Sequence, residues 1–276
     1  MPEFTSDTDM LRVNLTDGVA TLTMNRPEAR NALADEMTRT LRRAIQWCTS
    51  DSAVGAVLLT GAGTAFCAGG DVKGMGQRSA NKSATPSLES QFQIMRQRHH
   101  EITGALRAMR KPTVAALPGA AAGAGMAIAL SCDLRIAADN AFLSTAYARI
   151  GLSGDYGIAW LLSRVVGPGR ARQLMLTAER VSAAQALAIG LVNEVVPAAE
   201  LQQAAKRLTT SLANGPRTAY AYIKDNLDEA LDIDHASAID READRLLKAR
   251  STADHQEAVR AFVEKREPQF GKTPDA

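Results

Sequence analysis

The chain has 276 residues, of which 46% are hydrophobic and 22% charged, with a net charge of +2. That suits one large α/β domain, or a core with a smaller helical appendage, and needs neither disulfides nor metal to hold it. A charge so near neutral, with no stripe of Lys and Arg, speaks against nucleic-acid binding.

The start, MPEFTSDTDM, is polar and acidic and resembles no signal peptide, so a cytoplasmic protein is expected. Residues 11–15 and 19–24 then alternate apolar and polar around Asp17 and Gly18, the pattern of a hairpin. Asn25, Arg26 and Pro27 break the second strand. Asp35 stands where an N-cap is expected, ahead of a helix through Leu41, Ile45 and Trp47. Residues 54–60 read as a buried strand, followed by the Gly-rich turn GAGTAFCAGGD. Polar residues 74–87 predict a mobile surface loop, and a long helix follows over 88–109, ended by Lys111 and Pro112. Residues 113–117 form the next strand, Pro118 and Gly119 a turn, 123–131 an Ala/Gly helix and 134–137 another strand. The apolar stretch 114–130 is interrupted by Pro118 and three glycines, too short and small-sided for a membrane span. Beyond about Val196 the pattern is helical throughout. The expected division is therefore a core over 1–196 and a helical region over 197–276, in the α/β class.

Two segments place a Gly-rich turn between a strand and a helix: FCAGGD (66–71) and PGAAAGAG (118–125). Backbone N–H groups at a helix start are unpaired, and small residues let another group approach them. Two such N–H groups converging on one point would hold an oxygen that is gaining negative charge. Both segments also suit simple tight turns, and neither fits a dinucleotide or Walker phosphate motif. Cys48, Cys67 and Cys132 are too few and too scattered for a disulfide framework or a zinc site, and read as buried thiols. The four histidines, His99, His100, His235 and His255, show no metal-ligand spacing, so a helix-surface or core role is the default for each.

Taken together, NRPEARNAL (25–33), AFCAGGDVK (65–73), PGAAAGAG (118–125) followed by SCDLRIA (131–137), ERVSAAQALAIGLVNEVVP (179–197) and FVEKREPQF (262–270) resemble the enoyl-CoA hydratase/isomerase (crotonase) superfamily in order and spacing. The resemblance runs from about residue 11 to 270. It implies a spiral of ββα units with a helical C-terminal trimerisation region, acyl-CoA thioesters as substrates, no cofactor beyond the CoA of the substrate, no metal, and a homotrimer or hexamer. It places the oxyanion-hole N–H groups on Gly70 and on Ala124, where Gly is common. It assigns Arg30, Asn31, Ala32, Ala68 and Gly69 to the CoA cradle, and Phe262 and Lys265 to a CoA cover reaching a neighbouring subunit.

The two positions where hydratases of the family carry glutamates hold Ala127 and Tyr147. Ala127 has no acid–base chemistry, and a phenol with an ordinary pKa near 10 is a poor base. One carboxylate remains nearby, Asp155 in GLSGDYG (151–157). It resembles the Asp of dienoyl-CoA isomerases, aromatic-CoA dehalogenases and ring-epoxide isomerases. It also stands where it could cap the helix through Trp160, Leu161 and Leu162. Ile150, Leu152, Ile158 and Trp160 could desolvate it, and Tyr147 could hydrogen-bond it, bind the substrate or serve as pocket wall. A single carboxylate suits a 1,3-proton shift over an enolate, so an enoyl-, dienoyl- or ring-epoxide-CoA isomerase is expected. Three alternatives stand beside it: a hydratase with a non-standard acid–base set, a silent acyl-CoA binder, and a hydrolytic or dehalogenating enzyme using Asp155 as nucleophile. The dehalogenating version calls for an aromatic pocket, and aromatics make up only 4% of the chain.

Overall fold

β1 (Leu11–Thr16) and β2 (Val19–Met24) pair antiparallel, Leu11 opposite Met24 and Thr16 opposite Val19. Asp17 and Gly18 between them take φ of 53° and 76°. Two positive φ values are what a two-residue type I′ turn requires, and its twist matches that of the strands. The computed structural model describes residues 4–71 and 87–271. The polar loop expected over 74–87 lies outside them, except for Ser87.

From β3 onward the chain deals its strands to two sheets. β3 (Ala56–Gly61), β5 (Thr113–Leu117), β7 (Leu134–Ala138) and β10 (Glu194–Val196) extend the hairpin into a sheet of order β1-β2-β3-β5-β7-β10, parallel after the first pair. β4 (Ala65–Cys67), β6 (Ala120–Ala122), β8 (Phe142–Ser144) and β9 (Val181–Ser182) form the second, in that order. Successive turns of the chain give one strand to each sheet before a helix intervenes, so the spiral of ββα units is present. β3 and β5 are buried at every position, which is why they read as unbroken apolar runs: parallel strands are covered on both faces.

The helices fill the flanks. α1 (Asp35–Ser50) buries Met37, Leu41, Ala44, Ile45 and Cys48 on one side. Its cap position is Ala34, without a side-chain bond, so the expected Asp35 cap is corrected. Asp35 is the first helical residue, where its charge suits the helix dipole, and it accepts from Arg98 at 3.0 Å. α2 (Leu88–His99) is capped by Ser87, whose hydroxyl accepts from the Ser90 N–H at 3.1 Å. It continues through a π-helical turn (His100–Gly104) and a last short piece (Ala105–Ala108). α3 (Ala124–Ser131) is buried at every residue. α4 (Ile158–Val166), α5 (Pro168–Thr177) and α6 (Ala183–Ala188) complete the core. After β10 the chain is helical: α7 (Leu201–Ala213) packs against β3, β5 and β7, followed by α8 (Arg217–Glu229), α9 (His235–Arg250) and α10 (Ala253–Glu264). Among the described residues no helix is long and apolar enough to cross a membrane.

One close approach seats α3. A Cβ added to Gly125 would lie 2.2 Å from the Cys67 carbonyl oxygen, a backbone atom that cannot swing aside. Glycine there lets the first turn of α3 rest directly on the end of β4. Gly125→Ala is expected to force the two elements apart and destabilise the protein by roughly 1–3 kcal/mol, as overpacked sites do. A chemical-denaturation curve that matches the wild type would refute this account of how α3 is seated.

Candidate active site

The end of β4 is sewn to the NRPEARNAL segment. The Ala68 N–H donates to Arg30 O at 3.0 Å and the Leu33 N–H to Gly69 O at 2.8 Å, with a parallel bridge between Leu33 and Gly70. The Arg26 guanidinium pairs with Asp71 at 3.3 Å and donates to Ala32 O at 2.7 Å. Gly70 is therefore fixed from both sides. The opposite wall is the start of α3. A Cβ on Gly69 would fall 2.9 Å from Ala122 O and 3.6 Å from Ala124 N, so the backbone before Gly70 runs right beside the Ala124 N–H. That N–H opens α3 and has no helical acceptor behind it. Among the described residues the Gly70 N–H makes no backbone hydrogen bond either. The two sequence-predicted N–H groups thus lie on facing segments.

Beyond them stands Asp155. β8 leads into a 3₁₀ turn (Tyr147–Ile150), and a Cβ on Gly123 would lie 3.9 Å from Tyr147 Cζ, which puts the phenol over the α3 start. Gly154, Tyr156 and Gly157 all take positive φ and turn the chain so that the Tyr147 hydroxyl donates to Asp155 Oδ1 at 2.6 Å. That length is typical of a hydroxyl bonded to a charged carboxylate. Burial raises the Tyr147 pKa above its ordinary value, and the Asp155 charge raises it further, so the phenol stays protonated and keeps donating. α4 starts at Ile158 with Gly157 at the cap position and no side-chain cap bond, so Asp155 is not the N-cap and its side chain faces Tyr147.

The expected desolvating wall is corrected. Ile150, Leu152 and Trp160 are exposed, and only Ile158 of the four is buried. Tyr147 and Tyr156, both buried, flank Asp155 instead. Ala127 lies inside α3, fully buried and without acid–base capacity. His99, expected from the sequence to be a helix-surface or core histidine, packs its ring on Tyr156, centroids 4.1 Å apart.

The predicted CoA residues separate into groups. Arg30 lines a cleft of about 400 Å³ with Thr64, Asn140, Phe142 and Arg180, and the Arg180 guanidinium lies 4.7 Å above the Phe142 ring. Ala68 and Gly69 directly precede Gly70 on the segment that faces the start of α3. Asn31 is different: its side chain is fully buried, accepts from the Arg26 N–H at 2.8 Å and donates to Ala62 O and Ala65 O at 3.0 and 2.7 Å. It holds the cradle's shape and offers a ligand no side-chain atom. Ala32 is partly buried beside it. Phe262 is 85% exposed on α10, and exposed Lys265 ends that helix at φ 54°. A separate, largely apolar cavity of about 410 Å³ lies among Leu130, Trp160, Ile223 and Leu227 and touches none of Gly70, Ala124, Tyr147 or Asp155.

Comparison with known proteins identifies the family of the chain. A family model described as Enoyl-CoA hydratase/isomerase matches residues 14–273. A short-chain-enoyl-CoA hydratase of Clostridium acetobutylicum is 35% identical, over 90% of this chain and 92% of its own. A 1,2-epoxyphenylacetyl-CoA isomerase of Escherichia coli is 36% identical, over 92% of this chain and 95% of its own. The crystal structure of an enoyl-CoA hydratase from a Polaromonas species superposes with a TM-score of 0.86 at 32% identity, covering 94% of this chain and 98% of that one.

Asn31→Ala tests the cradle. It strands the Arg26 N–H and the Ala62 and Ala65 carbonyls, and each buried group left unpaired costs roughly 1–3 kcal/mol. Asn31 also sits at φ 55°, which Asn tolerates better than Ala. A melting temperature within error of the wild type would show that the turn does not depend on it.

Proposed function

Since the chain belongs to the enoyl-CoA hydratase/isomerase family, we propose that it isomerises an enoyl-, dienoyl- or ring-epoxide-CoA thioester by a proton shift carried by Asp155. The carrying observation is the 2.6 Å bond from Tyr147 to Asp155, at a site whose other acid–base position is the methyl of Ala127. The thioester oxygen receives the Gly70 and Ala124 N–H groups. These meet the charge that develops as the α carbon loses its proton, with no reorganisation at the moment of reaction. Asp155 takes that proton and returns it further along the chain, while Tyr147 donates to one oxygen and leaves the other free. Arg30 receives the charged end of CoA. No metal or further cofactor enters.

A hydratase reading, in which Asp155 activates water, has its own support: several relatives carry hydratase names. The product formed from a 2-enoyl-CoA separates the two.

The same reading extends to assembly. α8 and α9 bury no residue in the single chain, and Leu227, Leu246, Leu247, Phe262 and Val263 are all more than 60% exposed. Exposed apolar area of that extent marks an interface. A homotrimer, or a pair of trimers, covers it and brings Phe262 and Lys265 of one subunit toward the CoA of the next.

Asp155→Asn keeps the side chain's size and its acceptor oxygen for Tyr147 but cannot take a proton. Turnover is expected to fall about 10²–10⁴-fold while calorimetry still registers CoA binding, with or without chelator. Full activity in the variant would refute the mechanism. Light scattering of the wild-type protein is expected to give the mass of three or six chains, and a monomer at micromolar concentration would remove the role given to Phe262 and Lys265.

A further inference from the structure

The cleft beside Arg30 gathers side-chain donors that the protein itself does not use. Its floor is backbone against backbone, since a Cβ on Gly119 would lie 2.0 Å from Thr64 O. Phe142 opens β8 and stands opposite Ser182 of β9. That pairing brings Arg180, the residue before β9, over the Phe142 ring, with the guanidinium 4.7 Å from its centre. Such a contact positions a guanidinium without using up a hydrogen-bond acceptor. Arg30 is held through its main chain: its N–H donates to Pro27 O and its carbonyl accepts from the Ala68 N–H, each at 3.0 Å, at φ 50°. Both arginines are thus anchored short of their charged ends.

Those ends have no counterion. Among the described residues neither guanidinium forms an ion pair or a side-chain hydrogen bond, and no carboxylate lines the cleft. Carboxylates close in sequence are engaged elsewhere or turned to solvent. Glu179 accepts from Gln173 at 2.9 Å, Asp139 accepts from the Ala198 N–H at 3.2 Å, and Glu28 is exposed. Other arginines of the chain do find acids: Arg26 pairs with Asp71, Arg98 with Asp35 and Arg164 with Asp232. Two guanidinium groups on one cleft repel each other until an anion joins them. The guanidinium fork matches phosphate oxygens two at a time. A phosphate monoester carries about −1.5 to −2 charges near neutrality and three acceptor oxygens, enough to meet both arginines and leave an oxygen for the Thr64 hydroxyl or the Asn140 amide.

We propose that this cleft binds a phosphate monoester between Arg30 and Arg180, and that the phosphate it takes is the one on the ribose of a CoA substrate. The inference deepens the reading of Arg30 at the charged end of CoA, and rests on that reading for the source of the phosphate. The Arg30 carbonyl is bonded to Ala68, two residues before Gly70, so the cleft and the thioester site hang on one segment. Arg180 is then a specificity-determining residue. A pantetheine thioester, or a CoA stripped of its ribose phosphate, gives it nothing to hold.

Calorimetry with CoA, dephospho-CoA and adenosine 3′,5′-bisphosphate tests this without turnover. The wild type is expected to bind CoA about 10-fold or more tighter than dephospho-CoA, as a charge-assisted bond is worth. Arg180→Gln is expected to lose most of that difference by weakening CoA alone. Equal affinity for the two ligands in the wild type, or equal weakening of both in the variant, overturns the site. The bisphosphate is expected to bind the wild type and to be displaced by CoA. If it binds through Arg180 but stays bound when CoA is added, the phosphate comes from a separate ligand, and CoA as its source is overturned. Arg180 is exposed, so the variant is expected to fold, and the wild-type comparison of CoA with dephospho-CoA decides alone should it not. A protein inactive on every enoyl-CoA would refute the isomerase reading and leave these binding measurements to decide the cleft.

Discussion

Backbone meeting backbone, with no side chain between, is the constraint on which this site depends. Gly125 lets α3 touch the Cys67 carbonyl, and Gly69 lets the following turn pass under Ala122 and Ala124. With both in place, the orientation of two N–H groups is set by main-chain geometry and not by rotamers. Positioning of this kind suits a hole for a growing negative charge, because main-chain dipoles fixed by packing lose little entropy when an oxygen arrives. The same packing disposes of Cys67 as a nucleophile: burial pushes its thiol up to about 12, so it serves as wall.

Under the proposed mechanism the acid–base chemistry lies outside that rigid frame. α3 is buried at every residue, and a charge at Ala127 would need a partner the packing does not supply. The proposed carboxylate comes instead from the irregular segment between Tyr147 and Ile158, where four residues of positive φ and one short hydrogen bond fix Asp155. Loops can take such shapes because they are not committed to a ladder or a helix, and reactive groups on loops borrow their precision from what they touch. Here the neighbouring groups are two tyrosines, Tyr156 at a positive φ and Tyr147 donating a hydrogen bond.

Much of the architecture could be read from the sequence because it rests on local rules. Asp17 and Gly18 announced the hairpin, and unbroken apolar runs announced β3 and β5. The Gly-rich turns marked where strand and helix would abut, although only the resemblance made them a site. What could not be read depended on contacts between distant segments. Whether Asp155 capped α4 or faced Tyr147 turned on the left-handed backbone at Tyr156 and Gly157. Ile150, Leu152 and Trp160 were apolar and near Asp155 in sequence, yet they point outward. The contact of His99 with Tyr156 could not be read, since it joins distant segments and the π-turn that follows His99 has no sequence signature.

The C-terminal helix α8 is held to the core by a different kind of bond. Lys224 reaches Asp133 at 2.7 Å, Asp133 in turn accepts from the Thr113 N–H and hydroxyl, Arg110 meets Asp225 at 2.8 Å, and Arg107 pairs with Asp228. Pairs near the surface are weak one by one and are screened by salt over about 8–10 Å, whereas the seat of α3 involves no charge at all. The molecule is therefore layered in its response to its medium: ionic strength acts as a dial on how firmly the tail rests, and leaves the contact between α3 and β4 untouched.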